Sequence, residues 1–579
     1  MRERKGNKSL ENIRHTLAHL LASTVLEKHP KTKLGIGPTI ENGFYYDFDL
    51  KESLTPEDLP MLEKRMRELI KQDLKVTGSK VTTIAARKLF KDQPYKLDLI
   101  KDFVKEKKQL TVYKLGDIFS DLCKGGHVKG TKEIDLDAFK LTHLAGAYWK
   151  GDENNTQLQR VYGVAFASRK ELDEYLVQVA EAERRDHKKL GAELELFMFH
   201  HTSPGMPYWL PKGVILYNEL VRFWREEHSK RSYQEIVSPM LNKKELYITS
   251  GHYDHYWPEM FVANMEDGEE YGVKAMNCPN AMVVFDSKPR SYRDFPFKLS
   301  DTDSLHRYER SGVLNGLLRV REFRQDDAHV FVSEEQIESE YEEIFKIIER
   351  FYSIFDMKYE FRLGTRPQSF MGDVKTWNAA EKILEGVLKK SGKKYFILKG
   401  DGAFYGPKVD ILMKDAIGRE WQMGTIQLDF QQPKRFKLKY VAKDGKEKTP
   451  IVIHRVIYGS LERFIGILIE HYAGAFPLWI SPVQARVIAI GEKFQGYAQK
   501  ITDELKAADL RVELAEANET LGKRIREAET QKIPYILIVG DKEEQAGTVA
   551  VRKRGKGDLG TTTISSLIKS LQEEITKHN

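Results

Sequence analysis

The segment that most constrains the fold of this chain is HRYERSGVLNGLLRVREFRQDDAHVF, which spans residues 306–331. If its second half, RVREFRQDDAHVF, is a β-strand, its side chains alternate between two faces. One face then carries Arg319, Arg321, Phe323, Gln325, Asp327 and His329. The opposite face is hardly more apolar, so the strand is either a solvated edge or a binding surface. Two guanidiniums, an aromatic ring, an amide, a carboxylate and an imidazole favour a surface that binds phosphate, a base and a small polar substrate.

A second segment, IVIHRVIYGSLERFIGILIEHY at residues 451–472, also combines apolar runs with charged residues. A β-branched run passes through Gly459 into an apolar helix that contains Arg463. A buried charge costs several kcal/mol unless it is paired. The adjacent Glu462 could be the partner, but neighbouring residues on a helix point in different directions. A phosphate ligand therefore fits Arg463 better.

Length and composition limit the class of protein. At 579 residues the chain is too long for one hydrophobic core, and we expect three or four domains. Its 93 basic and 86 acidic residues give a net charge of +7, which is compatible with a nucleic-acid partner without demonstrating one. No apolar run is long enough for a membrane span, and residues 1–12 do not resemble a signal peptide. The two cysteines argue against a disulfide framework, so we expect a cytoplasmic, reducing location.

Both segments resemble parts of the class II aminoacyl-tRNA synthetases. The first is similar to motif 2, the stretch from Gly459 to Arg463 is similar to motif 3, and residues 213–241 are similar to the dimer-forming motif 1. Within that class, the chain resembles the bacterial-type threonyl-tRNA synthetase family from about residue 10 to the C-terminus. The resemblance rests on MNCPN, DDAHVF, GDGAFYGPK, WQMGTIQLDF and IHRVIYGSLERF, which are specific together and unpersuasive singly.

The resemblance implies a multidomain fold of the α+β and α/β classes. The expected parts are an α+β editing domain at 1–166, a linker helix at 167–190, a class II antiparallel-sheet catalytic core at 191–478 and an α/β anticodon-binding domain at 479–579. Alternating strand and helix patterns after Pro482 support the last of these. Family members often begin with a ubiquitin-like domain, whereas the editing pattern here starts within the first dozen residues. We expect a natural short form that lacks that domain.

The resemblance also implies the reaction and its residues. ATP, bound with Mg²⁺, activates L-threonine to threonyl-adenylate, and a homodimeric enzyme with no membrane partner transfers the threonyl group to tRNA(Thr). The catalytic residues are expected to be Arg307, Arg463, Lys408 and His252. The ATP-binding residues are expected to be Arg307, Glu309, Arg319, Phe323, Gln422 and Arg463. The threonine-binding residues are expected to be Gln325, Asp327, Tyr405 and Gln427.

A metal site is implied in the same way. Cys278, His329 and His454 lie far apart in the sequence, and from the residues alone a structural role for each is the simpler explanation. The family resemblance implies that they bind one Zn²⁺ per subunit, with three protein ligands and an open fourth position. Valine is nearly isosteric with threonine but lacks the hydroxyl that such an ion would bind. Serine keeps that hydroxyl, so we expect serine to be activated by mistake.

The N-terminal region would correct that error. His15 and His19 are four residues apart in a helical segment, and Cys123 and His127 repeat this spacing in SDLCKGGHV. From the residues alone, the pattern indicates a metal site. The resemblance instead implies a metal-free hydrolase of Ser-tRNA(Thr), and a zinc-occupied editing site is the alternative. Three neighbours are expected beside the four residues, namely Asp121, Lys96 and Tyr46.

In the C-terminal region, the basic run at residues 552–556 is the best candidate for contact with RNA, although a solvated charge run explains it equally well. Arg554 is expected to read an anticodon base, because a guanidinium can pair with a guanine edge. Two other functions are open. The chain could activate proline or serine, which the zinc triad and the editing pattern disfavour. It could also be a catalytically silent RNA-binding paralogue, which would be expected to lack part of Arg307, Arg463 or the zinc triad.

Overall fold

The computed structural model describes residues 2–415 and 418–578. The chain divides into two compact units, Met1–Ala180 and Glu181–Asn579. Within the described residues, no helix is long and apolar enough to cross a membrane.

The N-terminal unit is built on a long helix, α1 (Arg2–Lys28), packed against a five-stranded antiparallel sheet. The strands of this sheet are Lys33–Leu34, Thr39–Ile40, Gly43–Asp49, Phe139–Tyr148 and Gln157–Ala165. A three-stranded sheet consists of Val76–Lys80, Thr111–Leu115 and Phe119–Leu122. The other helices are Leu59–Lys71, Thr83–Leu89 and Pro94–Lys105. Leu17 and Leu21 of α1 are fully buried in the core, which fixes the rotation of the helix.

The predicted linker helix is interrupted. A helix over Arg169–Arg185 ends at Asp186, whose backbone is not helical and whose carboxylate accepts the Lys188 N–H at 2.8 Å. This side-chain cap starts a second helix, α2 (His187–Glu193).

The core of the second unit is an eight-stranded sheet that is antiparallel except at its two edges. In spatial order its strands are Gln234–Glu235, Phe297–Asp301, Asp327–Val332, Ile451–Val456, Glu420–Asp429, Lys408–Lys414, Tyr359–Gly364 and Tyr395–Leu398. Three central strands are named β1 (Asp327–Val332), β2 (Glu420–Asp429) and β3 (Ile451–Val456). β3 lies between β1 and β2 and pairs antiparallel with both.

Helices and small strand pairs surround this sheet. The longer helices are Pro211–Ser229, α3 (Cys278–Asp286), Ile337–Ser353, Val374–Ser391 and α4 (Leu461–Tyr472). The shorter helices are Lys244–Ser250, His252–Tyr256 and Gln432–Arg435. The small sheets consist of Phe197–Met198 with Tyr208–Trp209, Leu241–Lys243 and Val262–Asn264 with Glu270–Val273, Ser304–His306 with Glu322–Arg324, and Tyr440–Val441 with Glu447–Lys448. Ser460 starts α4 because its Oγ accepts the Arg463 N–H at 3.2 Å.

The segment RVREFRQDDAHVF is not one strand, so that prediction is wrong. It divides into Glu322–Arg324, which belongs to a separate two-stranded sheet, and β1. The break falls at Asp326, whose buried carboxylate accepts the backbone N–H groups of Ile457 and Gly459. These hydrogen bonds attach the break to the turn that follows β3.

The C-terminal part of the second unit is a five-stranded sheet with helices, as expected for an α/β domain. In spatial order its strands are Val512–Ala515, Ala485–Ala489, Tyr535–Val539, Thr548–Lys553 and Gly557–Thr563. Its helices are Gln495–Ala507, Leu521–Thr530, Asp541–Ala546 and Ile564–Thr576. The first three strands are parallel and the last two pairings are antiparallel.

The aromatic packing behind β1 predicts a stability difference between two phenylalanines. Phe331 is fully buried with its ring 4.4 Å from that of Phe285, whereas Phe396 on the edge strand is 43% exposed. Phe331→Ala should lower the free energy of unfolding of this unit by about 3–5 kcal/mol. Phe396→Ala should change it by no more than about 0.5 kcal/mol. Urea unfolding of the two variants measures the difference, and equal midpoints would contradict the packing described.

Candidate active sites

One cavity of about 550 Å³ lies against the central strands of the eight-stranded sheet. Residues 306–331 and residues 451–472 both contribute to its wall. The predicted site residues in that wall are His252, Cys278, Arg307, Glu309, Arg319, Phe323, Gln325, Asp327, His329, Tyr405, Gln422, Gln427, His454 and Arg463. Two residues singled out from the sequence, Arg321 and Lys408, are not part of the wall.

Three guanidiniums converge in this cavity. Arg463 donates from Nε to the Leu318 carbonyl at 2.9 Å and from Nη1 to the Gln422 carbonyl at 3.3 Å. Burial lowers the pKa of Arg463, and the charges of Arg319 and Arg307 lower it further. Within the part of the chain that the structure describes, no carboxylate lies within ion-pair distance of Arg463. Its positive charge is therefore available to an anion such as phosphate.

Glu462 is not the partner of Arg463. Its carboxylate accepts the Arg324 backbone N–H at 2.9 Å and the Ser460 hydroxyl at 3.1 Å. Burial raises the pKa of Glu462 to about 7. The ion pair considered from the sequence is therefore excluded by the direction of the side chain.

An aromatic ring and an ion pair lie beside the arginines of this cavity. The guanidinium carbon of Arg307 lies 5.0 Å from the centre of the Phe323 ring, and Arg319 pairs with Glu309 at 2.9 Å. A flat ring beside cations offers a surface on which a base can stack. Arg321 does not share this face as predicted, because its guanidinium donates to the Glu309 backbone carbonyl at 2.8 Å.

Cys278, His329 and His454 meet in the same cavity. Each offers one donor atom, and the three donor atoms lie within 4.8 Å of one another. The register of β1 and β3 places His329 directly opposite His454, and Cys278 begins α3. His454 Nε2 lies 2.9 Å from Asp429 Oδ2, and a carboxylate in this position commonly orients a histidine ligand.

The donor set fits Zn²⁺. His329 Nδ1 is buried and has no hydrogen-bond partner among the described residues, which is costly for a ring nitrogen. Burial lowers the pKa of His329 to about 4, so this ring is neutral near pH 7 and can donate a lone pair. One sulfur and two imidazole nitrogens are ligands that zinc prefers, and three protein ligands leave a position for a substrate.

Polar groups surround the triad. The carboxylate of Asp327 accepts from Asn277 Nδ2 at 3.1 Å, and the Tyr405 hydroxyl donates to Gln427. Gln325 lies in the same wall. A carboxylate, two amides and a phenol beside a metal site suit a ligand that carries an ammonium and a hydroxyl group.

His252 is buried beside Cys278. Ser250 Oγ donates to the Tyr247 carbonyl and therefore accepts from His252 Nδ1 at 2.8 Å. This leaves Nε2 as the unprotonated nitrogen, 3.8 Å from the Cys278 sulfur. Burial lowers the pKa of His252 to about 3, so the ring is a neutral acceptor.

Lys408 does not reach the cavity. Its Nζ pairs with Asp401 at 3.1 Å and with Asp410 at 3.2 Å. Asp410 is fully buried and also accepts from Gln422 Nε2 at 3.0 Å. Lys408 is thus linked to the cavity wall through Asp410 and Gln422, and its catalytic role stays a prediction.

The N-terminal unit contains a second cluster of histidine and cysteine. His15 and His19 lie one turn apart on α1, and Cys123 and His127 lie after the strand Phe119–Leu122. The Cys123 sulfur is 3.4 Å from His15 Nε2 and 3.1 Å from His127 Nε2. The four donor atoms lie within 4.8 Å of one another. The structure thus brings together all four residues predicted from the two spacings.

Burial keeps this cluster uncharged. It lowers the pKa of His127 to about 2 and raises the pKa of Cys123 to about 11. It also lowers the pKa values of His15 and His19. Neutral imidazoles can orient water and a nucleoside, and the same atoms could ligate a metal. Both interpretations of this site remain compatible with the geometry.

Asp121, Lys96 and Tyr46 form a buried network next to the cluster. Lys96 Nζ lies 2.5 Å from Asp121 Oδ1, and the Tyr46 hydroxyl donates to Asp121 Oδ2 at 2.5 Å. Asp121 Oδ2 is also 3.8 Å from His19 Nε2. The ammonium compensates the carboxylate, so the charge that faces His19 is small.

Arg554 is engaged in structural contacts. Its Nη1 donates to the Lys532 carbonyl, and its Nη2 donates to the carbonyls of Ala475 at 2.9 Å and Phe476 at 2.5 Å. Burial lowers the pKa of Arg554 to about 10. These three hydrogen bonds hold the guanidinium in place, and the base-reading role of Arg554 stays a prediction.

Two further candidates were not identified from the sequence. Thr16 Oγ1 lies 3.2 Å from His127 Nδ1 in the N-terminal cluster. Arg524 is only 3% exposed, its Nε and Nη1 have no hydrogen-bond partner among the described residues, and it lines a surface cavity with Arg486 and Lys506. No sequence pattern marked these residues, because threonine and arginine are ordinary on helices.

The chain matches three protein-family profiles. Residues 256–472 match the tRNA synthetase class II core domain (G, H, P, S and T), residues 484–574 match the anticodon binding domain, and residues 110–162 match the threonyl and alanyl tRNA synthetase second additional domain. Together with the antiparallel sheet and the arginine-lined cavity, these matches define a class II aminoacyl-tRNA synthetase.

Comparison with individual proteins identifies the family within this class. The threonine–tRNA ligases of Caldanaerobacter subterraneus and Carboxydothermus hydrogenoformans are each 49% identical to this chain over 97% of its length, and the matches cover 87% and 88% of those proteins. The crystal structure of the RNA binding domain of threonyl-tRNA synthetase from Cryptosporidium parvum has a TM-score of 0.66 at 40% identity, covering 67% of this chain and 98% of that one. This chain belongs to the threonine–tRNA ligase family. The predicted resemblance, fold class and enzyme class are confirmed, and an editing domain is present.

The neutral state of His127 predicts that the N-terminal unit loses stability in acid. A histidine in the unfolded chain has a pKa of about 6.5, above the folded value of about 2. Between these two values the unfolded state binds more protons, so stability falls as the pH is lowered. From pH 7.5 to pH 5.5, His127 alone should cost about 1.4 kcal/mol.

Hydrogen exchange of the α1 amides in the full-length protein measures this loss. His127→Asn removes the titrating ring, so the variant should lose about 1.4 kcal/mol less than the wild type over the same pH range. The same pH dependence in both proteins would show that His127 is protonated normally in the folded state.

Proposed function

We propose that this chain activates L-threonine with ATP in the 550 Å³ cavity, transfers it to tRNA(Thr), rejects valine at a zinc site and hydrolyses Ser-tRNA(Thr) in its N-terminal unit. One observation carries the proposal. Three guanidiniums and a buried Cys–His–His triad share one cavity, so a triphosphate and a hydroxy amino acid can bind side by side.

In the proposed activation step, a carboxylate oxygen of threonine attacks the α-phosphorus of Mg²⁺-bound ATP, and pyrophosphate leaves. Arg307 is assigned to the α-phosphate and the carboxylate, and Arg463 to the γ-phosphate. Backbone carbonyls already hold both guanidiniums, so little reorganisation accompanies the reaction. Phe323 is assigned to stack on adenine, while Glu309 and Arg319 hold the rest of the nucleotide.

The proposed threonine pocket is built from four polar side chains and the triad. Its polar side chains are Gln325, Asp327, Tyr405 and Gln427. When bound at Cys278, His329 and His454, zinc would supply a Lewis acid for the amino group and the hydroxyl of threonine. The Asp327 carboxylate balances positive charge, and the hydrogen bond between Tyr405 and Gln427 fixes the wall that the substrate side chain meets. A site built for a hydroxyl strongly rejects an analogue that lacks one, which is why valine should fail.

His252 and Gln422 are assigned to transfer of the threonyl group to tRNA. His252 Nε2 is unprotonated, so it can accept the proton of a ribose hydroxyl. Gln422 would contact the phosphate and the tRNA terminus, and the buried Asp410 with Lys408 would hold its amide in place.

Serine that passes the first pocket would be removed in the N-terminal unit. We assign His15, His19, Cys123 and His127 to holding the water and the 3′ adenosine of Ser-tRNA(Thr). Neutral imidazoles and a thiol can hold the water and the nucleoside by hydrogen bonds, as a metal-free hydrolase requires. The network of Asp121, Lys96 and Tyr46 would keep this geometry rigid. The editing domain is proposed to span residues 1–166.

The anticodon is proposed to bind where Arg524 lines a cavity with Arg486 and Lys506, within an anticodon-binding domain at 479–579. A buried guanidinium without a partner can donate to a base edge or to a phosphate. Arg554, whose guanidinium is held by backbone carbonyls, is proposed to read an anticodon base as expected from the sequence.

A homodimer is proposed through residues 213–241. Val214, Val237 and Leu241 in this region are 41%, 85% and 47% exposed. Exposed apolar side chains in one segment support a subunit interface there.

Substitution of the two cysteines tests whether the two clusters have separate functions, since one cysteine lies in each cluster. Cys278→Ser should lose its zinc and its threonine-dependent ATP–pyrophosphate exchange, and should still deacylate Ser-tRNA(Thr). Cys123→Ser should keep one zinc and normal exchange, and should deacylate more slowly. Elemental analysis and the two assays on each variant give the answer.

The zinc content of these two variants distinguishes between the possible metal sites. Zinc that is lost from Cys123→Ser and kept by Cys278→Ser would move the metal to the editing site. Loss of one zinc out of two in each variant would establish the zinc-occupied editing alternative.

A further inference from the structure

His187 joins parts of the catalytic unit that are distant in sequence. It begins α2 and is 1% exposed. Its Nδ1 lies 2.7 Å from Glu470 Oε1 on α4, and its Nε2 accepts the Leu317 backbone N–H at 3.1 Å. Leu317 belongs to the turn Gly316–Leu318, within the arginine-rich segment 306–331.

These two contacts determine the tautomer of the imidazole. A backbone N–H can only donate, so Nε2 carries the lone pair. Nδ1 then carries the proton, which the Glu470 carboxylate accepts. Arg419 donates to the other oxygen of Glu470, which anchors that carboxylate. His187 has no lone pair left for a metal ion, so it acts as a bridge between two parts of the fold.

The turn that His187 holds also holds Arg463. The Leu318 carbonyl accepts from Arg463 Nε at 2.9 Å. Gly316 has a φ of 49°, and a Cβ at that position would collide with His187 Nε2. The turn therefore lies directly on the imidazole, with no space for a larger residue.

Arg463 and Glu470 are seven residues apart on α4, so they lie about two turns apart on one face. Three hydrogen bonds link α4 to the turn and back to α4. Glu470 bonds to His187, and His187 bonds to Leu317. The next residue, Leu318, bonds to Arg463, so the contacts form a closed circuit. A long arginine side chain has many rotamers, and the circuit selects the one in which Nε meets the Leu318 carbonyl.

We propose that His187 is a positioning residue for ATP, which fixes the turn Gly316–Leu318 against α4 and thereby sets the direction of the Arg463 guanidinium. This inference rests on the proposed role of Arg463 at the γ-phosphate. Without the imidazole acceptor, the turn is held less tightly, and Arg463 samples several directions. Misplacement of a phosphate-binding group weakens nucleotide binding and slows the chemical step.

Three substitutions separate the two contacts of the ring. His187→Gln keeps an acceptor near the Nε2 position for Leu317, His187→Asn keeps a donor near the Nδ1 position for Glu470, and His187→Phe keeps neither. Threonine-dependent ATP–pyrophosphate exchange on the full-length protein gives kcat and the KM values for ATP and for threonine. The matched control is His471→Asn, at the next position on α4, whose ring packs on Tyr472.

His187→Phe and His187→Asn should raise the KM for ATP about tenfold or more, while His187→Gln should stay within about threefold of the wild type. The KM for threonine should change little, and His471→Asn should match the wild type. A wild-type KM for ATP in His187→Phe would overturn the inference. So would a parallel change in both KM values and in the melting temperature in all three variants, because that is the pattern of a purely structural residue.

Arg463→Ala in the same assay separates this inference from the wider proposal. If Arg463→Ala keeps exchange activity, the assignment of Arg463 to ATP fails and the inference fails with it. If Arg463→Ala is inactive while His187→Phe behaves as wild type, only the positioning role of His187 is refuted.

Discussion

The antiparallel pairing of β1 with β3 is the constraint on which the catalytic site depends. This register places His329 opposite His454, although the two strands are far apart in the chain. Asp326, one residue before β1, accepts the N–H groups of Ile457 and Gly459 just after β3. Burial raises the pKa of Asp326 to about 7, and these hydrogen bonds partly offset the cost. One strand register therefore places both histidines of the Cys278–His329–His454 cluster and the turn that leads to Arg463.

The chain uses histidine and cysteine in two different electrostatic settings. In the catalytic unit, Asp429 lies 2.9 Å from His454 and fixes the orientation of its ring. In the N-terminal unit, the carboxylate nearest the histidines is Asp121, and Lys96 compensates its charge. Burial lowers the pKa of His19, and the charges of His15 and then of the Lys96 ammonium lower it further. The two clusters therefore differ in the charge that lies beside their histidines: a carboxylate next to His454, and a carboxylate compensated by an ammonium next to His19.

Much of the fold and of the two sites was predictable because their residue types are unusual for a core. Arginines, an aromatic ring and histidines in an alternating segment indicated a binding surface, and the four-residue spacings of His15 with His19 and Cys123 with His127 indicated a cluster. The continuous strand was wrong because the Asp326 carboxylate bonds to a turn that is distant in sequence. No local pattern reports such a contact.

The arginines and lysines were the least predictable residues. A long cationic side chain has the same appearance in sequence whether it meets a ligand, a carboxylate or backbone carbonyls. Lys408 meets two carboxylates, and Arg554 meets three carbonyls. Arg524 is buried without a hydrogen-bond partner for Nε or Nη1 among the described residues, and nothing in its surroundings in sequence suggested it. His187 was not predicted either, because its two contacts are with Glu470 and Leu317, which are both distant from it in the sequence.

The most direct measurement is amino-acid-dependent ATP–pyrophosphate exchange on zinc-replete protein, with threonine, serine, valine and proline compared at equal concentration. A cavity that joins a phosphate-binding wall to a zinc-supported hydroxyl site predicts strong exchange with threonine, weaker exchange with serine and none with valine or proline. Exchange with valine as strong as that with threonine would contradict the hydroxyl-selective site, and exchange with none of the four would contradict the activation chemistry itself.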